Sequence, residues 1–239
     1  LPVALLVLFS FHDGRFPIPP FRGPTLRWYA DALGDDDIVA ALVNSLLVGA
    51  ASSALACLLG FLAAYALART RLPGGGAMRG LLMAPLSVSY LIIGLGLLVS
   101  FNLTGVSKSL LAVGIGHAVI NTPLCFAILL ASMGAHQANI ERAARDLGAA
   151  EWQVMTLVTA PMVMPGLVAA FALSLTFSWD EFIIAFLLAR FDVTVPVEIF
   201  SLLRSGLNPK TNAVGSIVFL ASVAMVLAVE LALLTRRRG

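Results

Sequence analysis

NIERAARDLGAAEWQVMTLVTAPMVMP, residues Asn139 to Pro165, carries Glu141, Arg142, Arg145, Asp146 and Glu151 within eleven residues. No hydrocarbon core accepts that density of charge in a spanning segment. The stretch is nevertheless patterned. Ile140, Ala143, Ala144 and Leu147 recur at i, i+3, i+4 and i+7, a small apolar stripe along one side of a short helix with the charges opposite. Gly148 ends that helix, and a second begins near Glu151 and carries Trp152, Met155 and Val158. The spacing predicts two short helices joined at Gly148, lying outside a membrane and presenting small residues to a partner.

The surroundings demand that membrane. Of 239 residues, 59% are hydrophobic and 12% charged, with a mean hydropathy of +0.96. Soluble domains hold about a quarter charged residues, so the chain is an integral membrane protein. The net charge is only +2 and the basic residues gather at segment ends, which argues against nucleic acid as a partner. Cys57 and Cys125 lie in apolar runs and read as buried free thiols, without a disulfide or metal site. The sequence contains no G-x-x-x-x-G-K-[ST] to bind a nucleotide.

Working outward, residues 1–11 are apolar but too short to span, and read as the end of a first transmembrane helix; a cleaved signal peptide is the rival. Pro17, Pro19, Pro20 and Pro24 forbid a long helix over 12–37, where Trp28 and Tyr29 suit the headgroup level. Further spans are expected over 38–68, 81–101, 110–133, 162–188 and 213–234. The second is interrupted only by Asn44, Ser45 and Ser52-Ser53, and its many small residues favour close helix approach. Pro85, Gly94 and Gly96 predict a kink in the third. A short helix is expected from Val197 to Leu207. Lys and Arg divide almost evenly between the two sides. Those nearest helix ends, Arg69, Arg71, Arg79, Arg142, Arg145 and Arg236 to Arg238, place the 134–161 loop and the C-terminus in the cytoplasm.

Two polar groups interrupt the apolar spans. His117, Asn121 and Pro123 sit at helical spacing, where interhelical hydrogen bonding is expected to account for them, with a pathway role as the alternative. Trp179-Asp180-Glu181 is costlier, since a mid-membrane carboxylate costs ~2.5–3.5 kcal/mol on insertion scales and must face water, protein or a cation. Neighbours on a helix point ~100° apart, so the two acids cannot both face one lumen squarely; a pathway role for the pair is expected, and pairing of one acid with an Arg such as Arg190 or Arg204 is the alternative.

The loop resembles the EAA loop of ABC importer permeases. Ala143-Ala144, three residues, Gly148, nine residues and Val158-Thr-Ala-Pro161 reproduce its spacing, although Arg142 stands where that pattern has Glu, with Glu141 one position earlier. Arg27-Trp28-Tyr29, His117 to Pro123, Pro161 to Pro165, Phe177-Ser-Trp-Asp-Glu181 and Leu207-Asn-Pro209 extend the likeness to the second permease subunit of spermidine/putrescine-type importers. The resemblance implies an all-α, polytopic, type I ABC importer permease fold of six transmembrane helices, the first truncated, forming one domain over 1–239. It implies coupling to an ATPase through Glu141, Arg142, Ala143, Ala144, Asp146, Gly148, Glu151 and Pro161, with the loop charge that faces the ATPase left open. It implies a substrate passage lined by Trp28, Ser178, Trp179, Asp180 and Glu181, whose carboxylates and aromatic face suit an ammonium-bearing solute.

No catalytic residue, metal or cofactor is expected in this chain, since ATP and Mg belong to the partner ATPase. The expected partners are a homologous permease, an ATPase dimer, an extracytoplasmic binding protein and lipid, in a bacterial inner membrane. Ala84-Pro85 is followed by Leu86 where polyamine permeases tend to carry an acid, which keeps iron, thiamine, opine and amino-phosphonate solutes open. A secondary transporter using Asp180 or Glu181 as an ion site, and a non-transporting assembly subunit, are the readings from other classes.

Overall fold

The computed structural model describes residues 2–14, 16, 21–70, 73–206 and 208–237, with side chains as far as Ala228. The readings of Pro17, Pro19, Pro20, Arg71, Leu207 and Arg238, and of the side chains of Arg236 and Arg237, fall outside the described residues. Helix α3 (Asp36–Arg69) is the axis of the bundle. Its start is dictated locally. The Asp35 side chain accepts from the amides of Asp37 and Ile38, and Asp36 and Asp37 lie at the positive end of the helix dipole. Arg69 occupies the last turn, where a cation suits the negative end.

α3 packs closely on α6 (Leu110–Ser132) and on α10 (Met164–Trp179). Gly60 marks the closest approach, since a Cβ there would lie 2.7 Å from the Phe126 amide nitrogen. Ala56, Ala64, Phe126 and Leu129 bury the contact, and Cys57 and Cys125 meet within it as free thiols 3.5 Å apart. The opposite flank of α3 presents Leu46, Leu47, Leu58 and Leu62 outward, which suits lipid or an apolar partner.

α1 (Pro2–Ser10) lies along α13 (Pro209–Arg237), with α2 (Arg27–Leu33) against both α13 and α3. α3, α6 and α13 are long and apolar enough to cross a bilayer, and two bent helix pairs raise the number of such spans among the described residues to as many as five.

The bends are where the structure departs from the sequence expectation. Residues 81–101 do not form one kinked span: α4 (Gly75–Met83) runs into a 3-10 turn (Ala84–Ser87), and α5 (Tyr90–Thr104) leaves at 106°. Pro85 lacks an amide hydrogen, and Val88 and Ser89 are extended, so the helical bonding stops altogether. Residues 162–188 are likewise divided. α10 ends at Trp179, and α11 (Ile183–Leu188) starts afresh after Asp180 to Phe182. Beyond it, α12 (Val195–Ser205) covers most of the short helix expected from Val197.

Between α6 and α10 stand α7 (Ala135–Asp146), α8 (Glu151–Gln153), a π-helical turn (Val154–Thr159) and α9 (Ala160–Met162). The segment 151–162 meets α10 at 74°. The two-helix shape expected around Gly148 is present. Gly148 has φ +91°, and the amides of Gly148 and Ala149 bond back to the carbonyls of Arg145 and Ala144, closing α7 with the paired bonds of a Schellman ending.

Candidate functional site

The α7–α9 segment is held to the C-terminal turns of α3 by two carboxylates. Glu141, fully buried on α7, receives the Arg69 guanidinium as a fork, Nε at 2.5 Å and Nη2 at 3.1 Å, and the Thr159 hydroxyl at 2.9 Å. Three donors satisfy a charge that burial alone would make untenable. Glu151 receives a second fork from Arg145, at 2.8 and 2.9 Å, and the hydroxyl of Tyr65 from α3. The Arg145 guanidinium, aided by the Tyr65 hydroxyl, holds the Glu151 carboxyl down at about 2. Gln153 steadies the entry to α8 by accepting from the Ala150 amide.

With Glu141 turned inward and Glu151 bridged to Arg145, the outer face of the loop mixes apolar, small and charged residues. Leu147 is 90% exposed and Trp152 63%, beside exposed Ala143, Asp146 and Gly148. Arg142 is exposed and, among the described residues, bonds within α7, to Asn139 and the Ala138 carbonyl. Ala144 is half-buried and Pro161 exposed. The eight residues assigned to coupling therefore separate: Glu141 and Glu151 fasten the loop to its own bundle, and the others lie at or near its free surface. Arg69 and Tyr65 were not picked out by sequence as partners of the acids, because nothing local in the sequence links them to residues more than 70 positions away.

The second group surrounds the α10–α11 break. Glu181 caps α11, its carboxylate accepting from the amides of Ile183, Ile184 and Ala185 at 2.9, 2.8 and 3.2 Å. His117 of α6 brings Nε2 to 3.3 Å from the same carboxylate, close enough for ion pairing but off the line of a hydrogen bond. Its Nδ1 lies 2.6 Å from the Ser178 hydroxyl, which meets Ser52 of α3 at 3.1 Å. Asn121 donates to the Ser174 carbonyl at 3.4 Å. Interhelical bonding is thus what His117 and Asn121 do, as expected.

The alternative of an Arg190 or Arg204 partner for one of the two acids is not what Glu181 shows: His117 and three backbone amides meet it, since the broken helix supplies donors that a continuous one would not. Ser178 and Glu181 are brought together in this network, with Trp179 buried beside it and its indole N–H unbonded, and Asp180 exposed. Trp28 is not gathered with them: it stands on α2, its indole donating to the His12 carbonyl at 2.8 Å.

A third feature lies at the other end of α3. A cavity of about 720 Å³ is lined by Asp37, Asp192, Glu198, Phe186, Phe191 and Arg204, among others. Phe200 also lines it and stacks into a cluster with Phe182 and Phe186, with ring centroids 5.2–5.6 Å apart. Asn44 and Ser45 fasten its floor, bonding the Val193 carbonyl at 3.1 Å and the Val195 amide at 2.8 Å. Burial, then the charges of Asp37 and Asp35, push the Glu198 carboxyl above its usual range, against a smaller pull from Lys210. Sequence reading missed these three acids because each lies in a different element, with no shared spacing.

Long apolar helices with a charged, bent loop at one end and an acid-and-aromatic cavity at the other make up an all-α membrane bundle among the described residues. The chain is 30% identical over 233 residues to the putrescine transport system permease protein PotI of Escherichia coli K12, covering 94% of this chain and 82% of that one. It is 28% identical over 240 residues to the spermidine/putrescine permease PotC of the same strain, covering 100% and 90%. It is 31% identical over 242 residues to the putative 2-aminoethylphosphonate permease PhnV of Salmonella paratyphi A, covering 100% and 90%. Among solved structures, a bacterial ABC transporter that imports alginate superposes with a TM-score of 0.70 at 18% identity, over 98% of this chain and 89% of that one. The alginate transporter in complex with its periplasmic protein gives 0.67, also at 18% identity, over 84% and 80%. No family model matches the sequence. The chain belongs to the ABC importer permeases of the spermidine/putrescine type.

Proposed function

We propose that this chain forms half of the translocation path for a small ammonium-bearing solute, a polyamine first. The observation that carries the reading is the cavity in which Asp37, Asp192 and Glu198 stand among Phe186, Phe191 and Phe200. A flexible polycation leaving water needs carboxylates to replace its hydration and aromatic faces to attract its charge. The names of the PotI and PotC relatives point to the same chemistry.

In this reading the cavity faces outward and takes solute from an extracytoplasmic binding protein, and Trp28 lies on the same side. Asp180, exposed where its neighbours are buried, is the member of the 178–181 group that meets the solute. Ser178, Trp179 and Glu181 form the frame behind it. The spans are α3, the α4–α5 pair, α6, α10 with α11, and α13, with α1 packed along α13, in a bacterial inner membrane with the C-terminus cytoplasmic. A homologous permease completes the path. Two ATPase copies, holding ATP and Mg, dock on the α7–α9 loops, and this chain carries out no covalent chemistry.

A second solute class has its own observation. Arg204 lines the cavity beside the acids, its guanidinium 5.9 Å from the centre of the Phe200 ring, so a zwitterion with one amine and one phosphonate would find both charges matched.

Uptake of labelled putrescine, spermidine and 2-aminoethylphosphonate by the assembled transporter separates these readings. Asp37→Asn, Asp192→Asn and Glu198→Gln combined should raise the KM for putrescine about tenfold or more, hydrogen bonds to charged groups being worth ~1.5–3 kcal/mol each. Unchanged putrescine uptake would contradict the assignment, as would uptake that persists with an inactive ATPase.

A further inference from the structure

We propose that α3 is the element through which the α7–α9 loop acts on the cavity, with Arg69 and Tyr65 as the positioning residues that transmit the load. The inference rests on the proposed docking of an ATPase on that loop. Both ends of the route are visible in specific contacts. At one end, the Arg69 fork grips buried Glu141, and Tyr65 bonds both Glu151 and Arg145. Thr159 ties the π-helical turn into the same carboxylate, so both halves of the loop are fastened to one helix. At the other end, Asn44 and Ser45 bond the backbone at Val193 and Val195, and the Asp35 cap pairs with Lys210 at 2.5 Å. Asp37, Ala40, Ala41 and Asn44 are themselves part of the cavity wall.

Between the two sets of contacts α3 has no break. Ser45 and Tyr65 are 20 residues apart, hence ~30 Å along the axis, the thickness of the hydrocarbon core. Of the other helices next to the loop, α6 runs unbroken but contributes no residue to the cavity wall, and the remaining routes are interrupted. α10 is separated from the loop by a 74° bend and from α11 by the Asp180–Phe182 break, and the α4–α5 pair turns through 106°. A rigid helix gripped by side chains at both ends transmits a displacement that a hinged one absorbs.

The loop acids thus acquire a function distinct from contact with the ATPase. A displacement of the loop pulls α3 by its last two turns, and α3 carries Asp37 and the 193–198 backbone with it as one wall of the cavity, moving that wall relative to Phe186 of α11, which packs on α5 and α6.

The test uses the assembled complex of this chain, its sibling permease and the ATPase, comparing Tyr65→Phe, Arg69→Lys and Arg69→Met with wild type. Hydrogen exchange is followed at 135–162, 36–45 and 193–198 with and without ATP and vanadate, a readout independent of the solute. The wild type should respond in all three segments. The variants should keep the ATPase attached and the response at 135–162, but lose it at 36–45 and 193–198. Putrescine uptake per ATP hydrolysed should fall about tenfold in Arg69→Met and less in Arg69→Lys.

A far-end response that survives in the variants overturns the route, and so does a wild type that responds only at 135–162. Loss of ATPase attachment in Tyr65→Phe would make these residues part of the docking surface instead. A wild type silent at 135–162 contradicts the docking reading itself, and the inference falls with it. Tyr65→Phe removes one hydroxyl and no charge, so it carries the test if Arg69→Met fails to insert.

Discussion

A carboxylate in an apolar bundle needs donors, and Glu181 finds three of them in the backbone of the helix it caps. An amide offers one acceptor oxygen in place of two. Glu181→Gln should therefore cost about 1–3 kcal/mol and speed hydrogen exchange at 183–185, without changing insertion; unchanged exchange would show that the cap is not what starts α11. Gly148 poses a different problem. A Cβ there would meet nothing, so its restriction is the left-handed φ of +91° alone. A β-branched side chain makes that conformation costlier by about 1–2 kcal/mol or more. Gly148→Val should reorient Trp152 and abolish ATPase copurification while the chain still inserts, and normal copurification would contradict the role of this turn. The glycine was legible from sequence because it follows a periodic charged helix. The fate of Glu181 was not, because Trp-Asp-Glu reads equally well inside a helix or at its end.

The α7–α9 segment shows which features of an element can be read locally. Its two helices and their joint follow from the 140/143/144/147 stripe and Gly148, but the inward turn of Glu141 depends on Arg69, 72 residues earlier. The same contrast separates α3, α6 and α13, evident as long apolar runs, from the α4–α5 turn. There Pro85 signals an interruption, but nothing in the local sequence gives the 106° of the turn. The Arg145–Glu151 bridge gives the element a defined acid limit. Arg145 first, then Tyr65, depress the Glu151 carboxyl from 4.5 to about 2. A depressed acid contributes stability that is full above its unfolded value and lost as pH falls through the folded one. The contribution is thus intact at neutral pH, declines below about 4.5 and is gone near 2. The Glu151 side chain is 60% exposed, so solvent screening keeps the contribution modest. In a variant whose only tryptophan is Trp152, fluorescence should be constant from pH 7 to about 5 and shift only below about 4. A shift near neutrality would contradict this bridge as the loop's brace.

On the scale of the molecule, two kinds of polar chemistry occupy opposite ends of one long helix: a loop braced by ion pairs with Leu147 and Trp152 outermost, and a cavity of carboxylates and rings. The loop was legible because its charges are contiguous against an apolar background. The cavity was not, because Asp37, Asp192 and Glu198 converge only when α12 folds back onto the start of α3. An importer needs both, a place to receive force and a place to receive solute, and neither serves transport without the other. The claim on which the rest depends is that the exposed face at Leu147 and Trp152 is gripped by a nucleotide-hydrolysing subunit. The direct measurement is photocross-linking from a benzophenone amino acid at Leu147 in intact membranes. The account predicts a single adduct with the ATPase, strengthened when ATP is trapped; adducts with lipid alone, or labelling of this position from the outer side of the membrane, would contradict it.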